Sequence, residues 1–272
     1  MHQVMAATTL ALGLLGTALT EAARGVEAVD LELVLLADAS GSIDEREILF
    51  QRQGYASANT HPAVLNAIAQ GYEQRIAVAY LEWGGVASQE VVVPWTIIDG
   101  PRTAEDFAEA LLTTPRRAFG RNVIGNALVA GQMLIESNEV AGHRKVIDLS
   151  ADSANSWGGV PIAEARANAL AADIVINGAA ILCRQCSGRP NRYDLEEAFA
   201  RTIIGGPASF VVTADADERF TEAVRKKLLL EIAGGSATSS GRLLAGVESE
   251  QAGSRVGSRA AFMAHPLMRA CE

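Results

Sequence analysis

The run Leu33-Val34-Leu35-Leu36-Ala37 contains no polar residue, no glycine and no proline, and it stops at Asp38. So short and unbroken an apolar segment suits a strand covered on both faces, as in a parallel sheet between two layers of helices. Parallel neighbours cannot be joined by a tight turn, so a chain built on such a strand needs crossover connections. The rest of the sequence supplies them.

Ile43 to Ile68 reads as largely helical, with Ile48, Leu49, Tyr55, Val64, Leu65 and Ile68 available for a core face and a break at His61-Pro62. Arg75 to Trp83 reads as a strand that Gly84-Gly85 ends, and Gln89 to Ile98 as another. The two lie so close in sequence that only a hairpin joins them, which makes the second an antiparallel edge strand; Pro94 suits an edge. Thr103 to Leu112 is a short helix, and the loop from Thr113 to Gly125 feeds a further helix to about Ser137. Then strands at Lys145 to Ser150, Asp173 to Leu182 and Ser209 to Thr213 alternate with helices at Pro161 to Ala172, Leu195 to Ile204 and Phe220 to Ile232. In the last helix Val224, Leu228 and Leu229 face inward, and Arg225, Lys226 and Lys227 lie toward its C-terminal half. This alternation predicts an α/β fold: a doubly wound, mostly parallel six-stranded sheet with one antiparallel edge strand and helices on both faces.

Ligands of open α/β sheets bind beyond the carboxyl ends of the strands. There the first strand gives way to Asp38-Ala39-Ser40-Gly41-Ser42, in which one carboxylate and two hydroxyls alternate with small residues. Oxygen ligands of this kind suit a hard cation such as Mg²⁺, Mn²⁺ or Ca²⁺. Mg²⁺ dehydrates reluctantly and would leave room for a partner's oxygen. The same residues are also ordinary turn formers, and Ser42 with Glu45 fits a capping box opening the next helix. Both readings can hold at once, since a hydroxyl has two lone pairs.

With 272 residues, 49% of them hydrophobic and 20% charged, the chain can bury one sizeable core. Its net charge of −9 disfavours nucleic acid as a partner, because phosphate binding needs a basic face. Val4 to Leu19 is an apolar stretch of about 16 residues, short of the roughly 20 that span a bilayer. Val26-Glu27-Ala28 follows with the small-residue spacing of a signal-peptidase site. Residues 1–28 are therefore expected to be a secretory signal peptide, although only His2 precedes the apolar region where positive charge is usual. Residues 29–235 form the domain, and beyond it Ser, Gly, Ala and Arg without apolar periodicity predict a disordered tail over 236–272. The protein is then exported, periplasmic or secreted, with no transmembrane segment after cleavage. Cys183 and Cys186 have redox-motif spacing but no thioredoxin-like context, so a structural bridge or two free thiols is expected. His2, His61, His143 and His265 show no metal-binding spacing, and His143 lies on the side of the sheet away from the Asp-Ser-Ser loop.

The arrangement resembles the von Willebrand factor A domain, whose metal-ion-dependent adhesion site begins with Asp-x-Ser-x-Ser after the first strand. Here that signature is Asp38-Ala39-Ser40-Gly41-Ser42. More narrowly, Val146 to Asp152, Ile176 to Ile181, Ile204 to Phe210 and Arg225 to Glu231 resemble the bacterial family designated domain of unknown function 1194, over roughly residues 29–233. The resemblance implies a metal site of Asp38, Ser40, Ser42, Asn122 and Asp152 holding Mg²⁺ or another hard divalent cation. It implies a non-enzymatic, adhesion-type module whose protein partner completes the metal shell with an acidic side chain. Asn122 departs from the family's Thr and Ser153 from the Gly that usually follows the Asp. An amide oxygen can ligate a hard cation, yet Asn also caps helices readily. The alternatives are a metal-free structural domain with a degenerate site and a metal-assisted hydrolase, the latter without a Gly-rich phosphate loop or a positioned base in the sequence. Arg116, Arg117 and Arg121 cluster near the second loop, where they would greet an acidic ligand or simply be solvated.

Overall fold

A computed structural model describes residues 26–182, 194–215 and 219–234. Cys183, Cys186, Cys271, the segment 236–272 and most of the expected signal segment lie outside them. Of that segment, Val26, Glu27 and Ala28 are described, and the last two belong to a short strand β1 (Glu27–Val29).

The apolar run lies at the centre of the sheet, as strand β2 (Leu31–Asp38), and every residue of it is buried. It pairs in parallel on one side with β3 (Ile76–Trp83) and on the other with β6 (Lys145–Ala151). Outside β3 lies β4 (Gln89–Ile98), antiparallel and at the edge. The register shifts between Val78, opposite Thr96, and Tyr80, opposite Val93, so Pro94 falls in the bulge, where its missing N–H breaks no ladder bond. Beyond β6 come β7 (Ile174–Leu182) and β8 (Val211–Asp215), both parallel, giving a six-stranded sheet of order β4-β3-β2-β6-β7-β8. Strand β1 pairs with β5 (Val140–Gly142) in a separate two-stranded ribbon. Three-residue strands carry no periodic signal, and the sequence did not predict either.

Strand alternation divides β2 between two cores. Leu31, Leu33 and Leu35 pack with Tyr55 of α1 (Glu45–Asn59), Val64 of α2 (Pro62–Ala69), Phe107 of α3 (Pro101–Thr113) and Leu228 of α7 (Arg219–Ile232). Val34 and Leu36 face the other layer, with Leu128 of α4 (Ile124–Glu136), Ala165 of α5 (Ile162–Ala171) and Phe199 of α6 (Leu195–Thr202). The expected break at His61-Pro62 separates α1 from α2, and the His61 imidazole caps α2 by accepting from the Ala63 N–H at 3.1 Å. None of the described helices is long and apolar enough to cross a membrane.

The α1 and α7 face of the sheet also carries buried polar pairs. Arg52 of α1 meets Glu82 of β3 at 2.7 Å, and the hydroxyls of Tyr55 and Ser150 hydrogen-bond. Lys227 is 1% exposed, although helix position and charge alone suggest solvent. Its ammonium contacts Asp148 of β6 and donates to Glu231 at 3.0 Å, and Asn177 of β7 reaches the same Glu231 oxygen at 3.3 Å.

The connection after β2 leads through α1 and α2 to β3, and the one after β6 leads across the opposite face through α5 to β7. Adjacent strands whose connections leave in opposite directions open a crevice at their carboxyl ends. Asp38 ends one of these strands and Asp152 follows the other.

Candidate metal centre

The first loop is folded by its own side chains. The Asp38 carboxylate accepts the Ser40 N–H at 2.8 Å through Oδ1, a local turn that holds the chain back over the end of β2. Ile43 N–H then donates to the Ser40 carbonyl at 3.0 Å, and the Ser40 and Ser42 hydroxyls come within 3.3 Å of each other. Ala39, Ile43, Ile48 and Ala118 form a small apolar floor under the turn. The predicted Ser42 and Glu45 capping box is displaced by two residues. Asp44 accepts from the Arg46 and Glu47 N–H groups at 2.8 and 2.9 Å, and Glu47 accepts from the Asp44 N–H at 2.8 Å. Asp44 competes better for the helix N-terminus because it adds a negative charge there. Ser42 is thereby released from capping, and its hydroxyl hydrogen-bonds to Asp152.

The second loop is set by close backbone approach. Gly85 N–H donates to the Phe119 carbonyl at 2.9 Å and Val123 N–H to the Gly84 carbonyl at 3.1 Å. A side chain on Gly84 would collide with the Phe119 backbone, and Gly120 takes a φ of +117°, so both positions require glycine. Gly41 N–H donates to the Gly120 carbonyl at 2.7 Å, which docks the first loop on the second. Arg116 reinforces that docking. Its guanidinium donates to the carbonyls of Ala39 (2.7 Å), Ile43 (3.0 Å) and Ala118 (3.1 Å), so it is a clamp between loops, its donors already engaged by carbonyls. This answers the two readings left open for it, and only Arg117 and Arg121 remain exposed. Neither a motif nor a periodicity marks Arg116 in the sequence.

Asn122 is 8% exposed, and its Oδ1 has no hydrogen-bond partner. It does not cap α4: the N-cap is Val123, without any side-chain bond to the helix. The third loop is tied to it by the Trp157 N–H, which donates to the Asn122 carbonyl at 2.8 Å. Ser153 needs no positive φ, and its hydroxyl accepts the Asn155 N–H at 3.1 Å, so its replacement of a glycine leaves the turn unstrained.

The five positions singled out in the sequence thus lie on three mutually bonded loops at one pole. Asp38 is fully buried, and its Oδ2 also lacks a hydrogen-bond partner. Burial above all, and then the neighbouring charge of Asp152, push the Asp38 carboxyl up to about 7, against hydrogen bonds from Ser40 and from the Asp152 backbone. Burial raises Asp152 too, opposed by the Ser42 hydroxyl. Desolvation and like charge are the effects that an inserted cation reverses. The donor set is all oxygen: two carboxylates, two hydroxyls and an amide. It fits a hard cation, and nowhere among the described residues do three or more His, Cys, Asp or Glu gather as an alternative.

A family model described as Protein of unknown function (DUF1194) matches residues 28–236. No curated protein matches the chain. Among solved structures, the pilus adhesin SpaC from Lactobacillus rhamnosus GG is 14% identical with a TM-score of 0.51, over 77% of this chain and 30% of that one. Proximal thread matrix protein 1 from the mussel byssus, with a zinc-occupied MIDAS motif, is 17% identical with a TM-score of 0.50, over 76% of this chain and 48% of that one. The SpRpn10 VWA domain is 13% identical with a TM-score of 0.46, over 72% of this chain and 94% of that one. The chain therefore spans less than half the length of the adhesin and of the byssus protein. The likeness to the adhesin and to the byssus protein is one of fold.

Proposed function

We propose that this chain, which belongs to the family Protein of unknown function (DUF1194), is an exported binding module that holds a hard divalent cation on Asp38, Ser40, Ser42, Asn122 and Asp152. The cation, Mg²⁺ or a relative such as Mn²⁺ or Ca²⁺, would offer an acidic group of a protein partner an open coordination position. The observation that carries this reading is that the buried, unpartnered oxygens Asp38 Oδ2 and Asn122 Oδ1 stand on two loops bonded to each other, whereas the other such carboxylates, Glu82, Asp148 and Glu231, are in ion pairs with Arg52 or Lys227. Buried polar groups are almost always paired, and an orphaned carboxylate oxygen beside a second carboxylate is costly unless a cation joins it. Every residue of the set has a task of its own. Asp38 and Asp152 supply charge, Ser40 and Ser42 neutral oxygens, and Asn122 an amide oxygen where the family pattern has a hydroxyl.

A binding role is favoured over hydrolysis by what surrounds the pole. Among the described histidines, His61 caps α2 and His143 precedes β6, both at the amino ends of the strands, so neither can serve as a base there. Carboxylates kept ionised by a cation are poor proton donors. Export is supported by the apolar stretch before residue 20 and the small-residue spacing of Val26-Glu27-Ala28.

Calorimetric titration of Mg²⁺ and Mn²⁺ into the protein and into Asp38→Ala tests the cation. We expect binding heat in the parent and none in the variant; equal heats in both would end the proposal.

A further inference from the structure

The rim of the same pole carries apolar surface that the core does not use. Val86, Phe119 and Trp157 are 54%, 54% and 62% exposed. They stand on three loops that hydrogen bonds fix around Asn122. Asn126 donates to the Val86 carbonyl at 2.9 Å and accepts the Val160 N–H at 2.9 Å, closing the turn that carries Trp157. Phe119 N–H donates to the Ser88 hydroxyl at 2.9 Å. Gly158 and Gly159, at φ of +87° and +69°, turn the chain immediately after Trp157. The aromatic rings are therefore held outward by a rigid frame.

Guanidiniums lie against both rings. Arg116 is 4.7 Å from the Phe119 ring centre and Arg121 is 5.8 Å from that of Trp157. Exposed Arg117 and Arg121 make this flank basic, in a chain whose net charge is −9. The α1 flank is mixed: Asp44, Glu45 and Arg46 are all exposed, and Glu45 pairs with Arg116 at 3.4 Å. Rigid exposed aromatics with arginine are the composition of interface hot spots, where an apolar anchor enters a frame of polar contacts.

Resting on the reading of the pole as a cation site, we propose that Trp157, Phe119, Val86 and Arg121 form a second subsite for a protein segment. It takes an aromatic or large apolar side chain adjacent in sequence to the acidic residue that meets the cation. Charge complementarity places the acid toward the arginine flank, and the exposed rings accept its neighbour. Recognition then requires the two side chains together; a carboxylate alone is a poor ligand.

The test uses a displayed nonapeptide library with a fixed central Asp and randomised flanks, selected on the protein in Mg²⁺. Selections on Trp157→Ser and Trp157→Phe, and on the parent with chelator, run in parallel, with Mg²⁺ titrations of each protein. We expect aromatic and large apolar residues beside the Asp to be enriched at least tenfold on the parent and on Trp157→Phe. Trp157→Ser should lose that enrichment while its Mg²⁺ heat stays unchanged. Mg²⁺ heat in the parent with no flanking preference would overturn the subsite and leave the cation reading standing. Enrichment that survives chelator would show apolar binding uncoupled from the acid and overturn the subsite as well. No Mg²⁺ heat in the parent would overturn the cation reading, and the subsite with it.

Discussion

Strand β6 carries one acidic residue within it, Asp148, and another just past its end, Asp152, and the two are balanced in different ways. Asp148 shares its buried space with Glu231 and with a resident cation, Lys227. Asp152 shares its space with Asp38, and the oxygens around them are hydroxyl and amide. In the first cluster the fold contains the positive charge that makes burial tolerable; in the second, what opposes the burial of Asp38 is hydrogen bonds from Ser40 and from the Asp152 backbone, not a side-chain cation. The first pins α7 to the centre of the sheet. The second is arranged as though its counter-charge came from outside, and that contrast separates a structural ion cluster from a binding site more sharply than burial or acidity does.

The largest expected effect comes from removing the resident cation. Lys227→Met keeps most of the stem volume but leaves Asp148 and Glu231 buried without compensation, which should cost about 3–5 kcal/mol. Urea unfolding measures it. A loss below about 1 kcal/mol would erase the distinction between the clusters, since it would mean that neither needs an internal counter-charge.

Much of the contrast was hidden in the sequence. The six strands of the main sheet, their order of succession and the Asp-x-Ser-x-Ser turn were legible because each rests on local pattern: an unbroken apolar run, a Gly-Gly stop, alternating small and oxygen-bearing residues. Lys227 was not, because its burial depends on where β6 and β7 place Asp148 and Asn177, far away in the chain. The clamping role of Arg116 was missed for the same reason, as its acceptors are carbonyls on two loops. The capping box was misplaced by two residues because Ser42 with Glu45 and Asp44 with Glu47 satisfy one local rule equally well. The charge of Asp44 at the helix N-terminus decides between them and leaves Ser42 for Asp152.

The next effect sharpens the comparison by pH. Burial first, and the neighbouring charge of Asp148 second, raise Glu231 from its ordinary 4.5 to about 7, against the pull of Lys227 and Asn177. Asp148 is raised in the same direction by burial. Between about pH 4.5 and 7 the folded state holds a proton that the unfolded chain has released, so stability should fall as pH rises through that window. Glu231→Gln should flatten this slope in a series of unfolding curves. An unchanged slope would place the titration elsewhere.

The second cluster should respond in the opposite sense to loss of charge. Asp38→Asn removes a buried carboxylate that no side-chain cation offsets, and an unsatisfied buried polar group costs on the order of 1–3 kcal/mol. In chelator at pH 7.5 the variant should therefore melt no earlier than the parent, and by this account later, while failing to bind Mg²⁺. A variant that is less stable in chelator would mean that Asp38 already has its counter-charge within the fold.

The smallest expected effect on stability, and the most discriminating on binding, belongs to Asn122. Were it a helix cap, its replacement by Ala would cost about 0.5–2 kcal/mol and Thr would retain most of that. Its Oδ1 bonds to nothing and α4 is capped at Val123 without a side chain, so the cap term is absent. Removing an unpaired buried acceptor relieves a desolvation penalty as it opens a small void, and the two oppose each other. Asn122→Ala should thus leave the melting temperature in chelator nearly unchanged, yet weaken Mg²⁺ binding by roughly tenfold, about 1.4 kcal/mol. Asn122→Thr, which offers a hydroxyl oxygen at the same position, should hold or tighten that binding. If Asn122→Ala melts earlier in chelator yet binds Mg²⁺ as tightly as the parent, the amide serves the fold alone, and the cation rests on Asp38, Ser40, Ser42 and Asp152.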